Sequence, residues 1–262
     1  MLTGIDHVLI ACADPDAAAD EVEAVIGLSV SAGGRHEVPG TFNRLIWLGD
    51  SYIELLGIWD GERAARWWWG QAALAVVGGA AAKGEEAGYM GFVLASDDLA
   101  ADAAALRARG SVLGEPEAGE RRRPDGRAVR WRVAREPAPD PDAGLLFLIE
   151  HDSTGAEWSP AERAERSALE HPLGGPARLE RLELPVSAMQ QATMRLHRDV
   201  GVAFRPSLAG GGARDGAVGR QTLRLVPAGQ SDEARIVIRG GTAERDVRLL
   251  GCRWLVEPVE LR

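Results

Sequence analysis

One pattern recurs along this chain and limits its fold more than any other feature: a short apolar strand, a capped alanine-rich helix, then several strands. The first copy runs from Ile5 to Leu28. Its strand leads into Asp14-Pro15-Asp16, where Asp14 suits the cap and Pro15 the first helical position. Ala18, Val22, Val25 and Ile26 then fall at helical spacing, and Gly27 can end the helix left-handed. The second copy has Tyr89 to Ala95 as strand, Asp97-Asp98 as cap, Leu99, Ala103 and Leu106 as stripe, and Gly110 as stop. The third is fainter: Leu179 to Val186, Ser187, then Met189, Thr193 and Leu196, ending at Gly201.

Strands are expected after each helix. They are Leu28 to Ser31, Phe42 to Leu48 and Tyr52 to Ile58; then Ser111 to Gly114, Val129 to Ala134 and Leu145 to Glu150. The third set is Val202 to Phe204, Thr222 to Val226 and Ala234 to Ile238, with a further apolar stretch at Val247 to Leu255. The repeating unit is therefore βαβββ. Residues 1–152 divide into modules 1–59 and 88–152 around a partly helical linker 60–87; a third, partial module, 177–262, follows linker 153–176, with a helix expected at Ala161 to Leu169. Glu115 to Gly126, Arg135 to Ala143, Gly79 to Gly84 and Gly210 to Gly219 read as loops.

Composition narrows the function. The 262 residues carry 30 Lys and Arg against 39 Asp and Glu, a net charge of −9. Such an acidic chain lacks the basic face that nucleic acid or an anionic membrane demands. The longest apolar run, Trp67 to Ala82, is broken by Gln71 and dotted with glycine, so no membrane span is expected. The N-terminus lacks a signal-peptide pattern, and two cysteines, Cys12 and Cys252, provide neither a disulfide framework nor a thiolate zinc site. A cytoplasmic protein with reduced thiols is the expectation. No phosphate loop, dinucleotide fingerprint, nucleophile elbow or zinc-protease helix occurs.

Four stretches, in order, carry a family resemblance. They are Ile5-Asp6-His7-Val8; Gly33 to Glu37 running into Gly40 to Leu45; Tyr52-Ile53-Glu54-Leu55; and Arg121 to Gly126 with Trp131, closing on Phe147-Leu148-Ile149-Glu150. The chain resembles the glyoxalase-like domain proteins of the vicinal oxygen chelate superfamily, with glyoxalase I, extradiol dioxygenases and bleomycin-resistance proteins as wider relatives. The resemblance implies an α+β fold of tandem βαβββ modules whose curved mixed sheets enclose a cavity. It also implies ligand positions on the first and last strands of each module. Here these hold His7, Glu54, Gly91 and Glu150, and Gly91 has no side chain to offer.

Alternation groups Ile5 with His7 and Leu9, Tyr52 with Glu54 and Leu56, and Glu150 with Leu146 and Leu148, so both carboxylates are expected to face inward. Buried carboxylates must be paired, protonated or bound to a cation. One expectation is therefore a divalent metal on His7, Glu54 and Glu150, with Glu54 or Glu150 acting as base; the other is a metal-free hydrogen-bond network. Asn43, Arg44, Tyr52, Arg123 and Trp131 are the expected substrate contacts, the two arginines for an anion. His151, one residue past Glu150, is expected at the surface. Trp67, Trp68 and Trp69 cannot share one helix face, and core, dimer and pocket-lid roles all stand open for them.

Three readings follow. The first is a metal-dependent lyase, isomerase or dioxygenase acting on a small oxygenated substrate. The second is a metal-free protein of the bleomycin-resistance type that sequesters a small molecule, its tryptophans suiting a cationic aromatic ligand. The third assigns the last module to homodimer formation.

Overall fold

In the computed structural model, which describes residues 2–259, the repeat becomes two curved sheets. The first unit comprises β1 (Leu2–Cys12), α1 (Pro15–Glu21), β2 (Ser31–His36), β3 (Thr41–Leu48) and β4 (Ser51–Ile58). Two helices, α2 (Gly61–Ala64) and α3 (Trp68–Ala81), form the linker to the second unit. That unit comprises β5 (Ala87–Ser96), α4 (Leu99–Ala108), β6 (Glu117–Arg122), β7 (Ala128–Arg135) and β8 (Leu145–His151). After α5 (Pro160–Ser167) comes a third unit: β9 (Ala177–Val186), α6 (Met189–Val200), β10 (Phe204–Pro206), β11 (Arg214–Val218) and β12 (Gln221–Pro227). The last strands are β13 (Arg235–Gly240), β14 (Arg245–Leu249) and β15 (Cys252–Glu257).

The helices begin and end where local chemistry dictates. Asp14 accepts from the N–H groups of Asp16 and Ala17, and Asp98 from that of Ala101. Gly27 closes the turn that follows α1, and Gly201 closes α6, at φ 79° and 73°. One difference is instructive. After α1 the chain makes a wider turn, with the Gly27 N–H reaching back to the Val22 carbonyl. The turn rotates Val25 out of the expected stripe and leaves it exposed.

The first two units close a barrel in the order β1-β4-β3-β2-β6-β7-β8-β5. The second sheet is open, in the order β10-β11-β12-β9-β13-β15-β14. β9 pairs parallel with β12 and antiparallel with β13, as β1 pairs with β4 and β5. β13 and β15 pair in parallel, as β5 and β8 do. Among the described residues, the final strands thus form an abbreviated fourth unit, lacking a helix and a counterpart of β6.

This arrangement revises several sequence expectations. Ala234 to Ile238 opens the fourth unit; the fourth strand of the third unit is β12. Part of Gly210 to Gly219 is strand β11 and part of Glu115 to Gly126 is strand β6. Glycine and charge suggested loops at both places, but β11 needs few apolar residues because it lies near the sheet edge. β6 presents a charged outer face, burying Arg121 and exposing Arg122.

Two apolar layers hold the fold together. One fills the barrel interior, with Leu9, Leu45, Tyr52, Leu56, Val93, Val133, Phe147 and Ile149 under α3. The other joins the outer barrel wall, including Val8, Ile53, Phe92, Leu146 and Leu148, to the helices and to one face of the open sheet. Strands β1, β4, β5 and β8 are covered on both sides, so they read as nearly continuous apolar runs.

Candidate functional site

A bulge in β1 builds the site. Ile5 pairs with Leu94 and His7 with Val93, which leaves Asp6 as an extra residue. The bulge breaks alternation: Ile5 joins the outer layer, while Asp6 and His7 form buried polar contacts with each other. Asp6 Oδ1 lies 2.6 Å from His7 Nδ1, and both Asp6 oxygens lie 3.1 Å from His151 Nε2. On its other side, His7 Nε2 stands 3.4 Å from Glu54 Oε2. The result is a carboxylate–imidazole–carboxylate line with a second imidazole attached to its inner end.

Neighbours fix this line. Asn43 donates from Nδ2 to Glu54 Oε1 at 2.8 Å and accepts the Gly34 N–H at 2.8 Å. Only glycine fits at position 33, since a Cβ there would lie 2.0 Å from Asn43 Oδ1. His7 stacks on Tyr52 at a centroid separation of 4.4 Å. His36 lies 3.0 Å from the Thr41 hydroxyl and meets Trp69 and Trp131 edge-on.

Burial shapes the protonation states. For Asp6 burial alone would raise the pKa, but the charges and bonds of His151 and His7 outweigh it and hold the carboxyl well below its usual range. Burial, reinforced by the charge of Arg121, pushes His36 down to about 3. Burial also lowers His151, against the pull of Asp6. Tyr52 is raised by burial and by the carboxylates of Asp6 and Glu54, so its phenol stays protonated.

His7, His36, Asn43, Tyr52, Glu54, Trp69, Trp131 and His151 line a cavity of about 50 Å³ inside the barrel, together with Leu9, Trp47, Leu56, Met90, Arg121, Val129, Phe147, Ile149, Glu157 and Trp158. Of the expected substrate contacts, Asn43, Tyr52 and Trp131 line it. Arg44 does not; it is turned to Asp16 and the Asn43 carbonyl. Arg123 reaches the site indirectly, through an ion pair with Glu157.

The expected ligand trio does not assemble. His7 and Glu54 meet, but Glu150 points to the helix side and accepts the Leu99 N–H at 3.0 Å, capping α4. Its companions Leu146 and Leu148 lie in the outer layer, whereas Leu145, Phe147 and Ile149 face the interior. Alternation grouped these residues correctly and assigned the wrong face. His151, expected at the surface, takes the inward position instead. A Cβ on Gly91 would lie 2.2 Å from the Leu145 carbonyl oxygen, so no larger residue fits there unless β8 moves. Among the described residues, no group of three or more His, Cys, Asp or Glu side chains is placed to hold a metal ion. The residues present therefore do not fit the metal that the resemblance implied.

The tryptophans also settle into place. Trp69 lines the cavity and donates to Thr41 Oγ1 at 3.3 Å, while Trp68 packs against Phe147. A cationic aromatic ligand finds little room here. The cavity is about a third of the ~150 Å³ that accommodates benzene in an engineered core. The rings of Trp47 and Trp158 already carry the Arg166 guanidinium at 4.2 and 4.7 Å. Cys12 and Cys252 are buried and free, and burial pushes the Cys12 thiol up to about 12.

The sequence reading missed Asp6, Arg121, Glu157, Trp158 and Arg166 as site residues. A signal existed for three of them. Asp6 is a charge inside an apolar strand, and Glu157-Trp158 is an acid–aromatic pair in a polar linker.

Comparison with known proteins agrees with the geometry. A family profile described as Glyoxalase-like domain matches residues 5–200. The chain belongs to that family. It is thereby a glyoxalase-like protein of the vicinal oxygen chelate superfamily. A hypothetical protein from Staphylococcus aureus is 17% identical over 99% of this chain and 100% of its own, with a TM-score of 0.76. A mutant of 4-hydroxymandelate synthase from Streptomyces coelicolor is 9% identical over 92% of this chain and 72% of its own, with a TM-score of 0.57. Both likenesses concern the fold alone. Streptomyces coelicolor methylmalonyl-CoA epimerase is 27% identical over 57% of this chain and 97% of its own, with a TM-score of 0.41. No curated protein matches the sequence. Among the described residues, no helix is long and apolar enough to cross a membrane.

Proposed function

We propose that this glyoxalase-like protein is an enzyme that moves a proton at a carbon next to a carbonyl group in a small oxygenated substrate, as a lyase or isomerase does. The observation that carries the reading is the buried line Asp6–His7–Glu54, whose outer carboxylate faces the cavity. Glu54 is the candidate base. It takes the proton from carbon, the electron pair moves to the carbonyl oxygen, and the Tyr52 phenol is available to donate to that oxygen. Asp6 accepts from His7 Nδ1 and so leaves Nε2 free to exchange a proton with Glu54 or substrate. Returning the proton to the same carbon gives epimerisation, and to its neighbour, isomerisation. No step in this scheme passes through a metal.

The test is solvent-deuterium incorporation, followed by NMR, into 2-oxo acids, 2-hydroxy ketones and branched thioesters. The wild-type protein is expected to label at least one of them at the carbon beside the carbonyl. Glu54→Gln is expected to lower the rate about 100-fold or more while still binding the compound. A labelling rate that Glu54→Gln leaves unchanged would overturn the reading. Stoichiometric binding with no labelling would favour the sequestering alternative.

A further inference from the structure

Two consecutive residues of the connector after β8 line the cavity. Glu157 and Trp158 are both buried, at 5% and 6% exposure, although neither belongs to the barrel sheet. The Glu157 carboxylate lies between two arginines of β6 and its turn. Oε2 pairs with Arg121 Nη2, and Oε1 with Arg123 Nη1 at 2.7 Å. Arg121 is itself 5% exposed, lines the cavity, and donates its other terminal nitrogen to the Gly33 carbonyl. Trp158 lies flat on His151, centroids 3.5 Å apart and planes 9° apart. Two adjacent residues thus cover a cavity cation and a cavity imidazole.

Three observations mark this cover as releasable. Glu157 holds φ at 70°, a left-handed conformation that is strained for a residue with a side chain and persists only while its contacts impose it. Beyond Trp158, the cover is held by Arg166 of α5, whose three guanidinium nitrogens are buried without a hydrogen-bond partner among the described residues. His151 Nδ1, under the Trp158 ring, is likewise buried and unpartnered. Closed, the cover leaves these four polar atoms without a partner among the described residues, over a cavity of only about 50 Å³.

We propose that Arg121 and Arg123 form a subsite for a carboxylate group of the substrate, and that Glu157 fills this subsite in the free protein as a built-in stand-in. An incoming carboxylate takes over the two arginines. Glu157 then swings out, taking Trp158 with it, and His151 and the Glu54 end of the cavity are uncovered together. The charge count at the subsite stays the same, one carboxylate replacing another, so exchange avoids stranding a buried guanidinium. This inference rests on the cavity being the ligand site, and it narrows the substrate to oxygenated carboxylates.

Pyruvate and its neutral isostere pyruvamide test it. In calorimetry, the wild-type protein is expected to bind pyruvate and to bind pyruvamide at least about tenfold more weakly. Glu157→Gln, which keeps the shape and removes the competing charge, is expected to tighten pyruvate about tenfold and leave pyruvamide unchanged. Should that variant fail to fold, hydrogen exchange of the wild-type protein decides. Saturating pyruvate is expected to speed exchange across residues 152–159 about tenfold, and pyruvamide to have no effect. Equal affinities for the two probes, no binding of pyruvate to either protein, or an unchanged segment 152–159 would overturn the proposal. The two readings fail separately. Pyruvate that displaces the segment yet gains no deuterium at its methyl group keeps the subsite and counts against proton transfer. Labelling of pyruvamide as fast as pyruvate does the reverse.

Discussion

Arg166 permits a test in which two physical terms of opposite sign can be weighed. The side chain is 9% exposed, and its guanidinium lies over Trp47 at 4.2 Å and Trp158 at 4.7 Å. Two desolvated cation–π contacts are worth about 1–4 kcal/mol together. Against them stand three buried nitrogens with no partner among the described residues, each costing about 1–3 kcal/mol. Burial lowers the Arg166 pKa, in keeping with an unfavourable environment for its charge, although the Glu157 and Asp50 carboxylates offset part of that. Replacement by methionine keeps the unbranched stem and sets a sulfur against the two indoles, each contact worth about 0.3–1.5 kcal/mol. The desolvation term wins this comparison, so Arg166→Met is expected to stabilise the protein by about 2 kcal/mol. For a chain of this size that raises the melting temperature by about 4–8 °C. Arg166→Lys, with a compact and strongly hydrated ammonium that cannot lie flat on a ring, is expected to be the least stable of the three. Calorimetric melting and urea titration of the three proteins provide the assay. A loss of about 1 kcal/mol or more in Arg166→Met would refute the reasoning, because the aromatic contacts would then outweigh the missing hydrogen bonds.

Three further outcomes follow from the geometry. Glu150→Ala should cost about 1 kcal/mol through the lost cap on Leu99 and leave pyruvate affinity at the cavity unchanged, measured by urea titration and calorimetry. Gly91→His should destabilise by about 2–3 kcal/mol, since its Cβ meets the β8 backbone, and should confer no uptake of zinc or nickel in calorimetric titration. His36 is buried neutral with its pKa down to about 3, so the unfolded chain takes up a proton near pH 6.5 that the folded chain refuses. Stability from this residue is therefore whole above that pH and falls on acidification. Between about pH 7 and pH 5 the wild-type protein should lose about 2 kcal/mol more than His36→Gln, and parallel pH dependences would contradict the assignment.

The sequence exposed the repeat because each unit carries its own punctuation: Asp14 and Asp98 as caps, Gly27 and Gly110 as stops. It could not reveal which side of a doubly covered strand faces the cavity. In β8 both Leu146 and Phe147 are buried, one in each apolar layer, so alternation alone cannot place Glu150 or His151. Long-range packing makes that choice, through the N-terminus of α4 on one side and Asp6 on the other. The bulge is illegible for a different reason: the charge of Asp6 marks the residue, but a strand that is apolar on both faces does not show that one residue is inserted. The pairing of Glu157 with Arg121 was hidden by sequence distance, since the two lie 36 residues apart.

The open sheet shows what barrel closure contributes. Its β9 repeats the β1 bulge, with Leu179 paired to Ile238, Arg181 to Val237, and Glu180 skipped. Register then equates Arg181 with His7, Arg224 with Glu54 and Arg235 with Gly91. In place of the acid–base line, three arginines surround Glu183, at 2.6, 3.3 and 3.0 Å. Such a lattice suits a face whose guanidinium groups still reach water, as Arg235 does at 37% exposure. It would be costly inside a closed barrel, where charges find little solvent. The converse holds for Asp6, His7 and Glu54. On an open sheet, water would screen the two histidines from Asp6 and weaken the influence that holds its carboxyl below the usual range. The abbreviated fourth unit lacks a strand in the place of β6, and β6 is also the strand that brings Arg121 to the cavity. One strand therefore both seals the barrel against water and supplies the cation that Glu157 covers, so enclosure and ligand selection arise from the same element.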